Sequence, residues 1–200
     1  MSAGSIEELR RALAGSPLTA MAHARLGTAL LEAGEGCEAE RHLRAAIELD
    51  PGCVAAWVNL GGILLSRWEF EASVEANRRA AAADPALALP HFNQAIGHLH
   101  LGEPEKAVEC LGKVVEIEPR NGAAYHHLGI ALHALGQAPE ARLCLAYAEE
   151  LGYRPSRPSA EALQRAAAAA KADETSTRHS QASPSTSAQG EAHGGNAQGR

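Results

Sequence analysis

Asp50-Pro51-Gly52-Cys53-Val54-Ala55-Ala56-Trp57-Val58-Asn59-Leu60-Gly61 and Glu118-Pro119-Arg120-Asn121-Gly122-Ala123-Ala124-Tyr125-His126-His127-Leu128-Gly129 share one pattern. Each runs from a proline through small residues to an aromatic, and then to a Leu-Gly pair. The prolines are the clearest markers: Pro17, Pro51, Pro85 and Pro119 stand 34 residues apart, and the next step falls on Tyr153, two residues before Pro155. A fixed period of this length is the mark of a repeat architecture, in which each unit buries its apolar face only against its neighbours.

With the proline placed at position 32, the repeats begin at Ala20, Val54, Ala88 and Gly122, and the other slots fall into register. Position 4 reads His23, Trp57, His91, Tyr125. Positions 7 and 8 read Leu26-Gly27, Leu60-Gly61, Gln94-Ala95, Leu128-Gly129. Position 11 reads Leu30, Leu64, His98, Leu132, and position 20 reads Ala39, Ser73, Ala107, Ala141. Position 24 reads Leu43, Asn77, Leu111, Leu145, and position 27 reads Ala46, Ala80, Val114, Ala148. Small residues at 8, 20 and 27 let two helices of one hairpin approach closely, and large ones at 4, 7, 11 and 24 fill the remaining space. The proline cannot continue a helix and pushes its predecessor out of the α region, so the chain turns there. Gly34, Gly102 and Gly136 at position 15 suit a tight turn with positive φ.

These residues resemble the tetratricopeptide-repeat (TPR) family, in register from about Ser5 to Pro155. The resemblance implies an all-α, right-handed solenoid of stacked antiparallel helix pairs. Residues 1–19 are expected to hold a half-repeat helix, with Leu9 and Ala12 at positions 24 and 27 and Ser5 and Glu8 as a capping box. Four repeats follow (20–53, 54–87, 88–121 and 122–155), then a capping helix over 156–172 that starts near Ser159. Residues 173–200 hold no Val, Ile, Leu, Met or aromatic side chain, and a segment that buries so little is expected to be disordered. Repeat 3 departs most, with Gln94, Ala95 and His98 in the Leu-Gly-Leu slots, so its core is expected to be the most polar.

Composition agrees with this class. Hydrophobic residues make up 46% of the 200 but aromatics only 4%, as suits close helix packing rather than sheets. The net charge of −6 is spread along the chain, so no basic stripe points to nucleic acid. No segment reads as a signal peptide or a membrane span. The four cysteines, Cys37, Cys53, Cys110 and Cys144, are far apart and read as reduced thiols of a cytoplasmic protein. Alanine-, arginine- and glycine-rich usage fits a bacterial, high-GC source.

In the family, positions 2, 5, 6, 9, 12 and 13 of the first helix face the concave groove. Position 6 here carries Arg25, Asn59, Asn93 and His127. Asn59 and Asn93 resemble the asparagine ladder of the O-GlcNAc transferase superhelix. An amide both donates and accepts, so it can grip a peptide backbone whatever the side chain; the alternative is an Asn that merely hydrates an exposed helix. The other inferred groove residues are mostly apolar: Met21, Ala24, Leu31, Val58, Leu65, Leu89, Phe92, Ile96, Leu99 and Ile130. Some of these can equally serve packing between repeats. The chaperone-tail clamp of some TPR proteins needs cations where this chain has Ala24, Leu89 and Asn93, so that function is not expected.

Six of the ten histidines, His91, His98, His100, His126, His127 and His133, fall in repeats 3 and 4. No HExxH motif accompanies them, so core imidazoles and a polar helix face are expected rather than a metal, with a pH-sensitive groove as the alternative. Cys110 and Cys144 share position 23, which argues for packing rather than catalysis. Trp68 takes the glycine slot at position 15, as an exposed contact residue or folded back on the second helix. The expectation is a non-enzymatic, cofactor-free adaptor for a protein or peptide partner. A secretion or assembly chaperone and a self-assembling structural unit are the alternatives, and neither partner nor oligomeric state can be read from the sequence.

Overall fold

A computed structural model describes residues 6–11 and 19–154. Residues 6–11 are helical (α1). Eight helices follow: α2 (Ala20–Glu32), α3 (Gly36–Leu49), α4 (Val54–Ser66), α5 (Phe70–Ala83), α6 (Ala88–His100), α7 (Pro104–Ile117), α8 (Gly122–Ala134) and α9 (Ala138–Glu150). The even-numbered helices from α2 to α8 are the first (A) helices of the hairpins, and α3 to α9 are the second (B) helices. Most of the expected half-repeat helix, the capping helix over 156–172 and the tail over 173–200 lie outside the described residues.

Four A–B hairpins pack pairwise, and each B helix packs against the next A helix. Successive A helices also touch, whereas no successive B helices pack to that extent. A row of hairpins whose A helices are drawn together must curve with the A helices inside, and this defines the concave face of an all-α solenoid.

Within a hairpin, position 24 of the B helix sits over position 8 of the A helix. A Cβ on Gly27 would come within 2.8 Å of Leu43, one on Gly129 within 2.7 Å of Leu145, and one on Gly61 within 2.1 Å of Asn77 Nδ2. Leu43 and Leu111 are fully buried, each contributing roughly 1.5–3 kcal/mol. At α1, Ile6 is buried against Leu26, Leu30 and Ala39, with Leu9 partly buried beside it, and Arg10 pairs with Glu38 at 2.9 Å.

The turns repeat as closely as the helices. After each A helix, the residue at position 15 has positive φ (Gly34 82°, Trp68 66°, Gly102 73°, Gly136 78°). Two backbone bonds close each turn, for example Gly34 N–H to Leu31 O at 3.0 Å and Glu35 N–H to Leu30 O at 2.8 Å. This is the Schellman arrangement, which satisfies the carbonyls at the helix end. Between hairpins, Asp50 and Asp84 leave the helix in extended conformation before their prolines, and Glu118 also leaves the α region, at φ −124° and ψ 79°, as the following proline favours. Repeat 4 has Tyr153 at the proline position and ends differently. Gly152, at φ 81°, gives α9 a Schellman end of its own, and Tyr153 turns back onto Gly122 at the start of α8.

The polar core reaches further than repeat 3. Gln94 is buried there as expected, His91 and Asn93 are buried beside it although Asn93 reads from the sequence as a groove residue, and Ser73 and Asn77 of repeat 2 are fully buried as well. They form a continuous chain: Ser73 Oγ donates to Gly61 O (2.8 Å), Asn77 Nδ2 to Ser73 O (2.9 Å), and Asn93 Nδ2 to Asn77 Oδ1 (3.1 Å). Buried amides are tolerated only when bonded in this way.

The close approach at position 8 has a measurable consequence. Gly61→Ala should destabilise the protein by roughly 1–3 kcal/mol, because overpacking outweighs the gain in helix propensity of about 1 kcal/mol. Gly112→Ala, in α7 with open space around it, should stabilise by up to about 1 kcal/mol. Urea denaturation followed by circular dichroism should show midpoints moving in opposite directions.

Candidate peptide-binding groove

The inner face is built from the exposed edges of α2, α4, α6 and α8. Met21 (64% exposed) and Leu89 (55%) stand open on it, while Leu31, Val58, Leu65, Phe92 and Ile96 are half-buried. Leu89, Phe92 and Ile96 share one side of α6, spaced as i, i+3 and i+7. Three residues read from the sequence as groove-lining are instead packed away: Ala24, Leu99 and Ile130 are buried in the clusters between helices. In a solenoid, positions 5, 9 and 12 lie at the margin between groove and core, and side-chain size and local curvature decide which way each goes.

The position-6 residues divide. Arg25 is exposed. Asn59 is half-buried, and its Nδ2 donates to Thr28 Oγ1 at 2.7 Å, tying α4 to α2; Thr28 in turn donates to Ala24 O. Asn93 is 9% exposed, with its Nδ2 committed to Asn77. Neither amide is therefore an open donor–acceptor pair. Both Oδ1 atoms lack a hydrogen-bond partner among the described residues, and neither is a buried unsatisfied atom, so the free valence on each is an acceptor.

His127 differs from the expected rung. It is 8% exposed, its Nδ1 donates to Ala123 O at 2.8 Å, and its ring meets Phe92 edge to face at 5.3 Å. Burial pushes its pKa down to about 4, with the bond to Ala123 opposing the shift. At neutral pH it is a packed, uncharged imidazole.

The remaining histidines do not converge on a point. His98 meets Glu103 at 2.6 Å, His91 and His126 are lowered in pKa chiefly by burial, and His126 Nε2 is buried without a partner among the described residues. No group of three or more His, Cys, Asp or Glu among the described residues is placed to hold a metal. All four cysteines are free thiols, and burial raises the pKa of Cys110 and Cys144, which lowers their nucleophilicity at neutral pH. A cleft of about 390 Å³ between α5, α6 and α7, lined by Arg78, Pro85, His91, Gln94, Lys113 and Ile117 among others, contains none of the groove candidates. No described helix is long and apolar enough to cross a membrane.

Two features of the site escaped the sequence. Asn77 occupies a slot that is leucine in the other repeats, and Ser73, Asn77 and Asn93 at positions 20, 24 and 6 together signal a buried polar chain. Thr28, at groove position 9, was the available partner for Asn59.

The lowered His127 pKa fixes a pH window. The unfolded chain takes up this proton near pH 6.5, whereas the folded chain resists until about pH 4. Stability is therefore complete above pH 6.5 and falls as pH drops toward 4, by on the order of 3 kcal/mol from this group. His127→Phe should shrink that loss, read as the change in urea midpoint between pH 7 and pH 4.

Comparison with known proteins agrees with this architecture. The sequence model described as "Tetratricopeptide repeat" matches residues 25–88 and 92–158, more than half of the chain. A curated relative, small glutamine-rich tetratricopeptide repeat-containing protein 2 of Mycosarcoma maydis, is 29% identical over 132 residues; the match takes in 66% of this chain but only 36% of that protein. The crystal structure of MamA is similar at a TM-score of 0.69 and 26% identity, over 74% of this chain and 87% of that one. MamA from Desulfovibrio magneticus RS-1 gives 0.68 at 19% identity, over 74% and 84% of the two chains. YrrB, described as a TPR protein with an unusual peptide-binding site, gives 0.68 at 18% identity, over 88% and 98%. Repeats of this kind generally mediate protein–protein interaction, and the chain belongs to the tetratricopeptide repeat family.

Proposed function

We propose that this protein is a non-enzymatic, cytoplasmic adaptor that holds an apolar segment of a partner protein along the inner face of α4 and α6. The observation that carries this reading is the stripe on α6. Leu89 is more than half exposed on the same side as half-buried Phe92 and Ile96, with Val58 the corresponding position-5 residue on α4. Apolar side chains at i, i+3 and i+7 on a concave wall form the kind of groove that accepts an amphipathic helix or an extended apolar strand. In this reading Asn59 and Asn93 act as acceptors for peptide N–H groups. Their Nδ2 atoms are held by Thr28 and Asn77, so each acceptor is oriented before the partner arrives, which reduces the entropy lost on binding. Arg25, at the open end of the row, supplies charge near the rim.

The test is site-specific cross-linking in the native cell. A photo-cross-linker at Leu89 should capture a partner that a cross-linker at the outer-face residue Glu109 does not. With that partner purified, Phe92→Ala and Leu89→Glu should each weaken binding by about tenfold or more. Asn59→Ala with Asn93→Ala should weaken it less, because each loses one neutral hydrogen bond. Unchanged affinity in all three variants would remove the groove reading.

A further inference from the structure

The turn between α4 and α5 departs from the other three hairpins. Trp68 occupies a left-handed conformation, φ 66°, where the equivalent residues are glycines. A bulky residue is disfavoured there because its Cβ crowds the following carbonyl. Burial does not explain the choice, since Trp68 is 68% exposed. The conformation does hold a cluster of rings drawn from three segments. Trp68 stands edge-on to Phe70, the first residue of α5 (5.7 Å, 67°), and to His100, the last residue of α6 (5.5 Å, 68°), while Phe70 and His100 stack at 4.4 Å and 2°.

The charges around this edge are uneven. Position 16 carries Glu35, Glu69 and Glu103. Glu35 is met by Arg10, and Glu103 by Lys106 and His98. Glu69, next to Trp68, is exposed and has no partner at ion-pair distance among the described residues, although its charge is felt by Arg67. The neighbouring cation, Arg67, is engaged by Glu40. Burial lowers the pKa of His100, which disfavours its charged form.

We propose that Trp68, Phe70 and His100, with the carboxylate of Glu69, form a rim site for a cationic side chain, an arginine guanidinium, on a partner segment. A guanidinium is planar and weakly hydrated, stacks on aromatic faces and pairs with a carboxylate. The net charge of −6 favours its approach. His100 lies one helical turn beyond Ile96, so the site borders the inner face, but it stands on the turn geometry whether or not the groove holds a peptide.

The test uses acetyl-arginine amide, with acetyl-norleucine amide as its neutral counterpart, titrated into the isotopically labelled protein and followed by NMR at the Trp68 indole, the His100 ring and the backbone amides around the turn. Arginine amide should give saturable shifts confined to this cluster, with a dissociation constant on the order of millimolar, and norleucine amide should give none. Glu69→Gln should weaken binding about threefold. Trp68→Gly, which restores the glycine of the other turns and relieves the left-handed strain, should abolish the shifts at His100 without lowering the melting temperature. Absence of saturable shifts, equal shifts with norleucine amide, or cluster shifts that depend on protein concentration without ligand would overturn the site, the last by assigning it to self-association.

Discussion

Every hairpin depends on how closely its two helices approach. At Gly27 and Gly129, the missing side chain is the space that Leu43 or Leu145 occupies; at Gly61 the occupant is Asn77. This contact fixes the spacing of the two helices, and with it the amount of apolar surface that positions 7, 11, 20 and 27 can bury. Hairpins built on this contact and joined by similar turns stack in one direction, each B helix on the next A helix. The A helices then form a continuous wall without any contact that spans the whole protein. Stability in such an array is a sum of local terms, each repeat supported by itself and its two neighbours. The groove is thus a by-product of packing, and side chains at its margin can change without cost to the hairpin below.

That division explains what was legible in the sequence. Proline at position 32, glycine at 8 and glycine at 15 each answer a backbone or steric demand that few residues meet, so their 34-residue recurrence shows through a single sequence. Groove residues answer weaker demands. Leu89 and Leu99 read alike as apolar positions of one A helix, yet one is open and the other buried, because the outcome turns on a few ångströms of curvature. His127 read as a polar rung, but burial and its bond to Ala123 make it a core residue. Asn59 and Asn93 were recognisable as amides of interest. The partners that fix them, Thr28 and Asn77, lie 31 and 16 residues away, and side-chain hydrogen bonds across repeats leave no periodic trace.

The stacking surface differs from hairpin to hairpin. Position 21 of each B helix faces the next hairpin: Glu40 reaches Arg67, Val74 lies against Gly97, and Val108 packs in the cluster shared with α8. In α9 the same slot is Arg142, and position 28, where Val115 packs in α7, is Glu149; both are exposed. A charge in this slot is compatible with stacking when it is paired, as Glu40 is with Arg67. Tyr153 lies against Gly122 at the position where the other repeats carry a proline.

The junction between repeats 2 and 3 concentrates the departures from the pattern. Ser73 and Asn77 replace apolar core residues, Asn93 joins them from α6, and Trp68 takes the glycine turn. A leucine at position 77 would pack as its counterparts do, without needing any particular partner. Asn77 is instead bonded to both Ser73 and Asn93, and removing the Asn93 amide alone would leave Asn77 Oδ1 buried without its partner, at about 1–3 kcal/mol. The amide chain therefore gives up some apolar packing for a directional bond between α5 and α6. Above that junction stand Leu89, Phe92 and Ile96, and at its edge stands the Trp68–Phe70–His100 cluster. A binding face gains from a rigid base because less order must be imposed when the partner arrives, and the least regular part of this solenoid is the part whose internal geometry is most tightly specified.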